Sequence, residues 1–190
     1  MVQAVWRKEW IGIRLFIALN FNEEVKAQIN EIIDRVKSNS VQGRFVNEEH
    51  IHLTLEFLGE IHKNRLDLIK EILDGLEFNK FTFQLTKIGY FKRPEGNIYW
   101  IGVKENDTLF DLQKKLHKSL LDKGFELEDR EYKPHITLGR KVKLKDGFNT
   151  DELKDIVEKI EIDISKVDLM KSEFNNGKLI HSLMYSRQLF

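Results

Sequence analysis

The chain has no cysteine, two prolines, no excess of either charge and no long apolar run. Without cysteine there is no disulfide, no thiolate nucleophile and no cysteine-based zinc or iron–sulfur site, a composition that fits a reducing compartment. Lysine plus arginine equals aspartate plus glutamate at 31 each, so long-range steering toward a polyanion is weak. A wide basic face for duplex nucleic acid is therefore not expected, whereas a short strand end held by local charges stays open. No apolar stretch approaches the ~20 residues needed to cross a membrane. Residues 1–12 carry Arg7, Lys8 and Glu9 among apolar neighbours and lack the continuous apolar core of a signal peptide. The expectation is a cytoplasmic protein.

What the chain does have is a globular composition: 190 residues, 41% of them hydrophobic. That length suffices for one substantial domain or two small, closely packed lobes. Ile13 to Leu19 reads as a buried strand, and Asn22 can cap a helix whose apolar face is Val25, Ile29, Ile32 and Val36. Gly43 to Glu49 reads as a polar approach to a strand over His50 to Leu58 that ends at Gly59. Leu66, Ile69, Leu73 and Leu76 mark a second helix. Strands near Phe81 to Ile88 and Ile98 to Val103 flank a loop or wide hairpin over Gly89 to Asn97. Leu109, Leu112, Leu116 and Leu120 mark a third helix that Gly124 can terminate. A strand near His135 to Arg140 follows, then a fourth helical segment with Leu153, Ile156, Val157 and Ile160. Two last strands, Ile162 to Met170 and Lys178 to Ser186, meet at Asn175-Asn176-Gly177. The order predicts an α+β fold of two facing lobes. No linker separates them, so a single compact unit over residues 1–190 is expected, with 1–12 as a candidate N-terminal extension.

One tetrapeptide occurs twice: His52-Leu53-Thr54-Leu55 and His135-Ile136-Thr137-Leu138. Alternation in a strand puts each His and Thr on one face, about 6.6 Å apart along the backbone. Two such pairs can line opposite walls of one cleft. An imidazole with a pKa near 6.5 serves as either acid or base at neutral pH. Two of them across a phosphorus can divide the proton transfers of phosphodiester cleavage, each worth about 10²–10⁴ in rate. The threonine hydroxyls can hold phosphate oxygens, and the chemistry needs no metal or other cofactor. Arg140 can stabilise phosphate charge only if a bulge near Gly139 turns it onto the face of His135, since regular alternation points it the other way.

Other residues have competing readings. His50 and His52 form H-x-H, a spacing found in some metal sites, but no Asp or Cys partner lies nearby in sequence. His62, His117 and His181 read as surface or structural histidines, and the lysine-rich runs 63–70 and 141–145 as solvated faces. Tyr90 and Phe91 can stack on a base or pack in the loop.

The chain resembles the 2H phosphoesterases, in particular the RNA 2′,3′-cyclic phosphodiesterases once described as 2′-5′ RNA ligases. The residues that carry the resemblance are Arg14 to Leu19, Phe45 to Gly59, Ile98 to Val103, Tyr132 to Arg140 and Leu169 to Ser172. It implies a bilobal α+β fold with two antiparallel sheets around a central cleft and helices outside. It also implies opening of a 2′,3′-cyclic phosphate to a 2′-phosphomonoester, with His135 activating water and His52 protonating the 3′ oxygen. Reversal, joining RNA ends through a 2′,5′ linkage, is the secondary activity. Thr54, Thr137 and Arg140 map onto phosphate-contacting positions, and Phe45 and Tyr90 are candidate substrate-binding rings. The expected partners are single-stranded RNA ends or small 2′,3′-cyclic nucleotides, met by a monomer. A small-nucleotide phosphodiesterase and a noncatalytic RNA-end-binding protein are the alternatives. The sequence departs from the usual pattern at Phe45 and Asn47, where relatives often carry Trp and Pro. It departs again at Gly177 to His181, where Gly-Pro-x-Tyr is commoner.

Overall fold

The computed structural model describes residues 12–190; the proposed extension lies outside them apart from Gly12, which opens the first strand. Strand β1 (Gly12–Asn20) is central because its run Leu15 to Leu19 is buried on both faces. Antiparallel β3 (His52–His62) and β8 (Lys166–Asn175) flank it, and β9 (Lys178–Gln188) completes a four-stranded sheet in the order β3-β1-β8-β9. The second sheet has the order β2-β6-β5-β4-β7, from Ser40–Phe45, His135–Leu144, Asn97–Val103, Phe81–Phe91 and Glu161–Ile164. All its pairings are also antiparallel.

The helices cross between the sheets. Helix α1 (Glu23–Ser38) leaves the first sheet yet packs on β2 and β6 of the second. Its start is fixed by the Asn22 side chain, which accepts from the Val25 N–H at 2.9 Å, a cap worth about 1 kcal/mol. Glu23 and Glu24 sit in the first turn and Arg35 and Lys37 in the last, matching the helix dipole. Helix α3 (Asp107–Asp122) leaves the second sheet and packs on β3 of the first and on α2 (Leu66–Asp74). Asn106 caps it, Leu109, Leu112, Leu116 and Leu120 are buried, and Gly124 ends it at φ +73°. One apolar cluster joins both sheets to the helices, while Phe16, Ala18 and Met170 form a separate small cluster on the other face of the first sheet.

Four expectations change. The strand read over His50 to Leu58 and ending at Gly59 starts at His52 and runs on to His62. The stretch read as a polar approach, Gly43 to Glu49, holds the end of strand β2 and the start of a 3-10 turn over Glu48–His50. Its polarity is that of an edge strand with little burial on either face, which hides the alternation. The fourth helix shortens to a 3-10 turn, Thr150–Leu153, and one turn of α4, Lys154–Val157. The strand read as Ile162 to Met170 breaks at Ser165: β7 pairs with β4 and β8 with β1. Both pieces bury alternate apolar residues, so hydropathy could not reveal that they serve different sheets.

Candidate active site

His52 and His135 each stand at the first residue of a strand, β3 in one sheet and β6 in the other. Their Nδ1 atoms meet the carbonyls two residues back, His50 O at 2.7 Å and Lys133 O at 2.6 Å. A carbonyl only accepts, so Nδ1 carries the proton in both neutral rings and Nε2 keeps the lone pair. At His52 the Thr54 hydroxyl lies 3.1 Å from Nε2 and donates to it when the ring is neutral. The two motifs are tied together through Tyr132, whose hydroxyl donates to the Thr54 carbonyl at 3.2 Å.

Burial pushes the His52 pKa down to about 4, with smaller contributions from the positive charge available at His50, His135 and Arg140. Burial also lowers His135, again with Arg140 (and Arg130) adding to the effect. Both imidazoles are therefore neutral at neutral pH in the free protein, and both feel the same guanidinium. His52 thus feels the charge of His135 and Arg140, which brings the two motifs within electrostatic reach of each other.

Backbone register explains how Arg140 gets there. Trp100 pairs with Thr137 and Tyr99 with Gly139, so Leu138 is an extra residue and the alternation flips after it. Ile136 and Gly139 then share the core side with Ile101 and Tyr99, and Arg140 returns to the face of His135 and Thr137. Strand β3 does the same. Ala18 pairs with Thr54 and Ile17 with Glu56, leaving Leu55 extra and turning Phe57 onto the face of His52.

The aromatic candidates are placed differently from one another. Phe45 pairs with Gly139 on the core side; a Cβ at Gly139 would meet its ring at 2.9 Å. Its ring packs under α1, next to a cavity of about 240 Å³ that is lined by Asn30, Asp34 and Lys37 and carries no imidazole. Tyr90 pairs with Tyr99, their rings 5.4 Å apart, on the face opposite Trp100 and His135. Phe91, one residue on, faces His135 instead, edge to face at 5.3 Å, and also packs against Trp100 at 5.3 Å. Gly89 makes room for that indole, since a Cβ there would stand 2.4 Å from it.

The residue that sequence reading missed is His181. Its ring lies 5.4 Å from His52, 4.7 Å from His50 and 4.9 Å from Phe16. Burial, then the neighbouring His52 and His50, lower its pKa to about 4. The only signal in sequence was its departure from the commoner tyrosine pattern. His50 spends its Nε2 on the Leu179 carbonyl at 3.1 Å, and among the described residues no group of three His, Asp or Glu is arranged to hold a metal. His117 lies behind β3, where its Nδ1 donates to Glu56 at 2.7 Å.

Comparison with known proteins places this geometry. The family model described as LigT like Phosphoesterase matches residues 19–99 and 101–180. An RNA 2′,3′-cyclic phosphodiesterase of Thermotoga maritima is 34% identical over 93% of the chain and 95% of its own length. That of Methanothermobacter thermautotrophicus is 30% identical over 90% and 96%. Escherichia coli LigT in complex with 3′-AMP shares the fold at a TM-score of 0.77 and 22% identity, covering 94% of this chain and 98% of that one. With its paired His-x-Thr strands on two facing antiparallel sheets, the chain belongs to the LigT-like 2H phosphoesterase family.

Proposed function

We propose that this protein hydrolyses RNA 2′,3′-cyclic phosphate termini to 2′-phosphomonoesters, with His52 and His135 as the acid–base pair and no metal. The observation that carries the reading is the matched pair of imidazoles. Each is fixed by its Nδ1–H on a backbone carbonyl, which leaves Nε2 for the substrate, and each feels the charge of Arg140. The 34% identical Thermotoga relative is itself named an RNA 2′,3′-cyclic phosphodiesterase, which supports the same substrate class.

In the proposed reaction His135 Nε2 takes a proton from water as the water oxygen bonds to phosphorus. The bond from phosphorus to the 3′ oxygen breaks, and protonated His52 delivers its proton to that oxygen. A burial-lowered imidazole is a strong acid once charged, and the phosphate anion supplies the stabilisation that lets it hold the proton. Arg140 and the Thr54 and Thr137 hydroxyls bind the non-bridging oxygens. Phe45 and Tyr90 take no direct part, since neither ring is on the His135 face; Phe91 replaces Tyr90 as the ring beside the reacting phosphate. With the 5′-hydroxyl of a second RNA in place of water, the same site would open the cyclic phosphate to a 2′,5′ linkage, the 3′ oxygen again leaving with the His52 proton, but water at its ordinary concentration favours hydrolysis. The protein is taken to act as a cytoplasmic monomer; none of its described helices is long and apolar enough to cross a membrane.

The test presents 2′,3′-cyclic nucleotides and RNA ends in EDTA and resolves 2′- from 3′-phosphate products. Turnover to 2′-phosphate with chelator is expected. Loss of activity in EDTA, or exclusive 3′-phosphate, overturns the mechanism, and binding without turnover favours the noncatalytic alternative.

A further inference from the structure

The face of the first sheet that carries His52 is apolar well beyond the histidine. Cross-strand pairs place Phe57 beside Phe16, Phe16 beside Met170, and Met170 beside Leu183. Two residues further along β8 and β9, Ser172 pairs with His181, and then Phe174 with Leu179. These residues alternate with others that face α2 and α3, as Tyr185 does in donating to Asp74 of α2 at 2.5 Å. Among the described residues no helix covers the cleft-side set: α2 touches β9 and α3 touches β3 from the core side.

The strip is exposed where it leaves the catalytic end. Phe57 is 45% exposed, Leu183 55% and Phe174 73%, whereas Phe16 and Met170 beneath them are buried. Rings run continuously along it, with Phe16 5.0 Å from His52, 6.3 Å from Phe57 and 4.9 Å from His181. An exposed apolar strip of this kind marks a binding surface. It is continuous with the candidate active site, and that continuity selects the occupant. A cyclic phosphate held between His52 and His135 sits at the 3′ end of its RNA, so the preceding nucleotides must leave the cleft across one of its walls. The wall around His135 presents Arg140 at this position of the motif; the wall around His52 presents Phe57. Bases stack on flat apolar and aromatic side chains without regard to sequence.

We propose that the β3-β1-β8-β9 face is a stacking platform for the single-stranded nucleotides 5′ of the cyclic phosphate, so that this enzyme is built for RNA ends rather than for mononucleotides. The proposal rests on the phosphodiesterase reading above. Four strands spaced about 4.8 Å apart span about 14 Å, room for roughly two or three bases. His181 lies within the platform as a neutral ring, held so by burial and by the histidines beside it. Arg14 is exposed on the same face of β1, two residues before Phe16, with Glu60 as its cross-strand partner.

The test compares 2′,3′-cyclic phosphate substrates of one, two, four and six nucleotides. KM is expected to fall about tenfold or more from one to four nucleotides, as one stacked base is worth about 1–3 kcal/mol, and then to level off. In a Phe174→Ser/Leu183→Ser double variant the ratio of the two KM values should collapse toward one. Both side chains are exposed, so the core is intact, and the unfolding midpoint checks this. Equal KM at all lengths in the unmodified protein overturns the platform, as does a length dependence that survives the double variant. A free protein that sediments as a dimer and becomes monomeric in the double variant also overturns it, because a second copy then covers the face. If no length is turned over, the phosphodiesterase reading fails instead. Anisotropy of a 5′-labelled tetranucleotide with a cyclic end still reports the platform: binding weakened about tenfold by the double variant supports it, and unchanged binding rejects it.

Discussion

Strands β3 and β6 each begin with a histidine, hold its Nδ1 on the carbonyl two residues back, and bulge at the fourth residue of the motif. Past the bulge they diverge. The next residue is Glu56 in β3, buried and bonded to His117, but Gly139 in β6, closed over by the Phe45 ring. The residue after that is Phe57 on one wall and Arg140 on the other. A shared backbone device thus delivers two imidazoles held alike at Nδ1, and the side chain it turns inward next differs in chemistry. On the proposed reading the apolar wall takes bases and the cationic wall takes phosphate charge.

The equivalence of the imidazoles is the first thing to break. His52→Ala and His135→Ala should each lower kcat by about 10²–10⁴ on a cyclic substrate, with the unfolding midpoint little changed. Near-normal turnover in either variant means the two strands are alike only in shape. The divergence at the next inward position is tested by Arg140→Ala, which should cost about 10² in kcat/KM, with partial recovery in Arg140→Lys. An unimpaired Arg140→Ala enzyme would place the phosphate away from this wall.

Supports behind the two bulges should differ in stability rather than in rate. Gly139→Ala would put a Cβ 2.9 Å from Phe45, 3.0 Å from Val142 and 3.2 Å from the Arg44 carbonyl, and should destabilise by about 1–3 kcal/mol. Glu56→Ala removes the partner of the half-buried His117 ring and should cost about 1–2 kcal/mol. Denaturant midpoints measure both. A neutral Gly139→Ala would show that the Phe45 closure does not hold the bulge.

Much of this was legible in the sequence where period and chemistry coincide. The repeated His-x-Thr marked the strand starts, Asn22 and Gly124 marked helix ends, and the need for a bulge before Arg140 followed from strict alternation. What was hidden depends on long-range register. Tyr90 and Phe91 are neighbours of similar chemistry, and only the pairing of β4 with β5 decides that Phe91 meets His135. Phe45 was drawn toward the site by its place before the motif, yet two glycines, Gly43 and Gly139, open a berth for its ring on the core side. His181 lies 129 residues from His52 and reaches it only because β8 and β9 join the sheet of β1. No local pattern could bring those rings together.

The smallest expected signal separates acid from base. In the free protein His52 is neutral above about pH 4, because burial opposes its charge. Acting as the acid, it must gain a proton when substrate binds. A 2′,3′-cyclic phosphate is an anion throughout the neutral range and takes up no proton itself, so any uptake belongs to the protein. Its charge raises the His52 pKa in the complex, and affinity should therefore fall as pH rises through that raised value. His135→Asn blocks turnover and leaves His52 in place. Titrated with cyclic substrate at neutral pH in two buffers of different ionisation enthalpy, it should take up a fraction of a proton approaching one. The His52→Asn/His135→Asn protein should take up none. Uptake that instead persists in His52→Asn and vanishes in His135→Asn exchanges the two roles: the phosphate would then charge the wall that carries Arg140, and the buried, threonine-bonded imidazole of β3 would be the base.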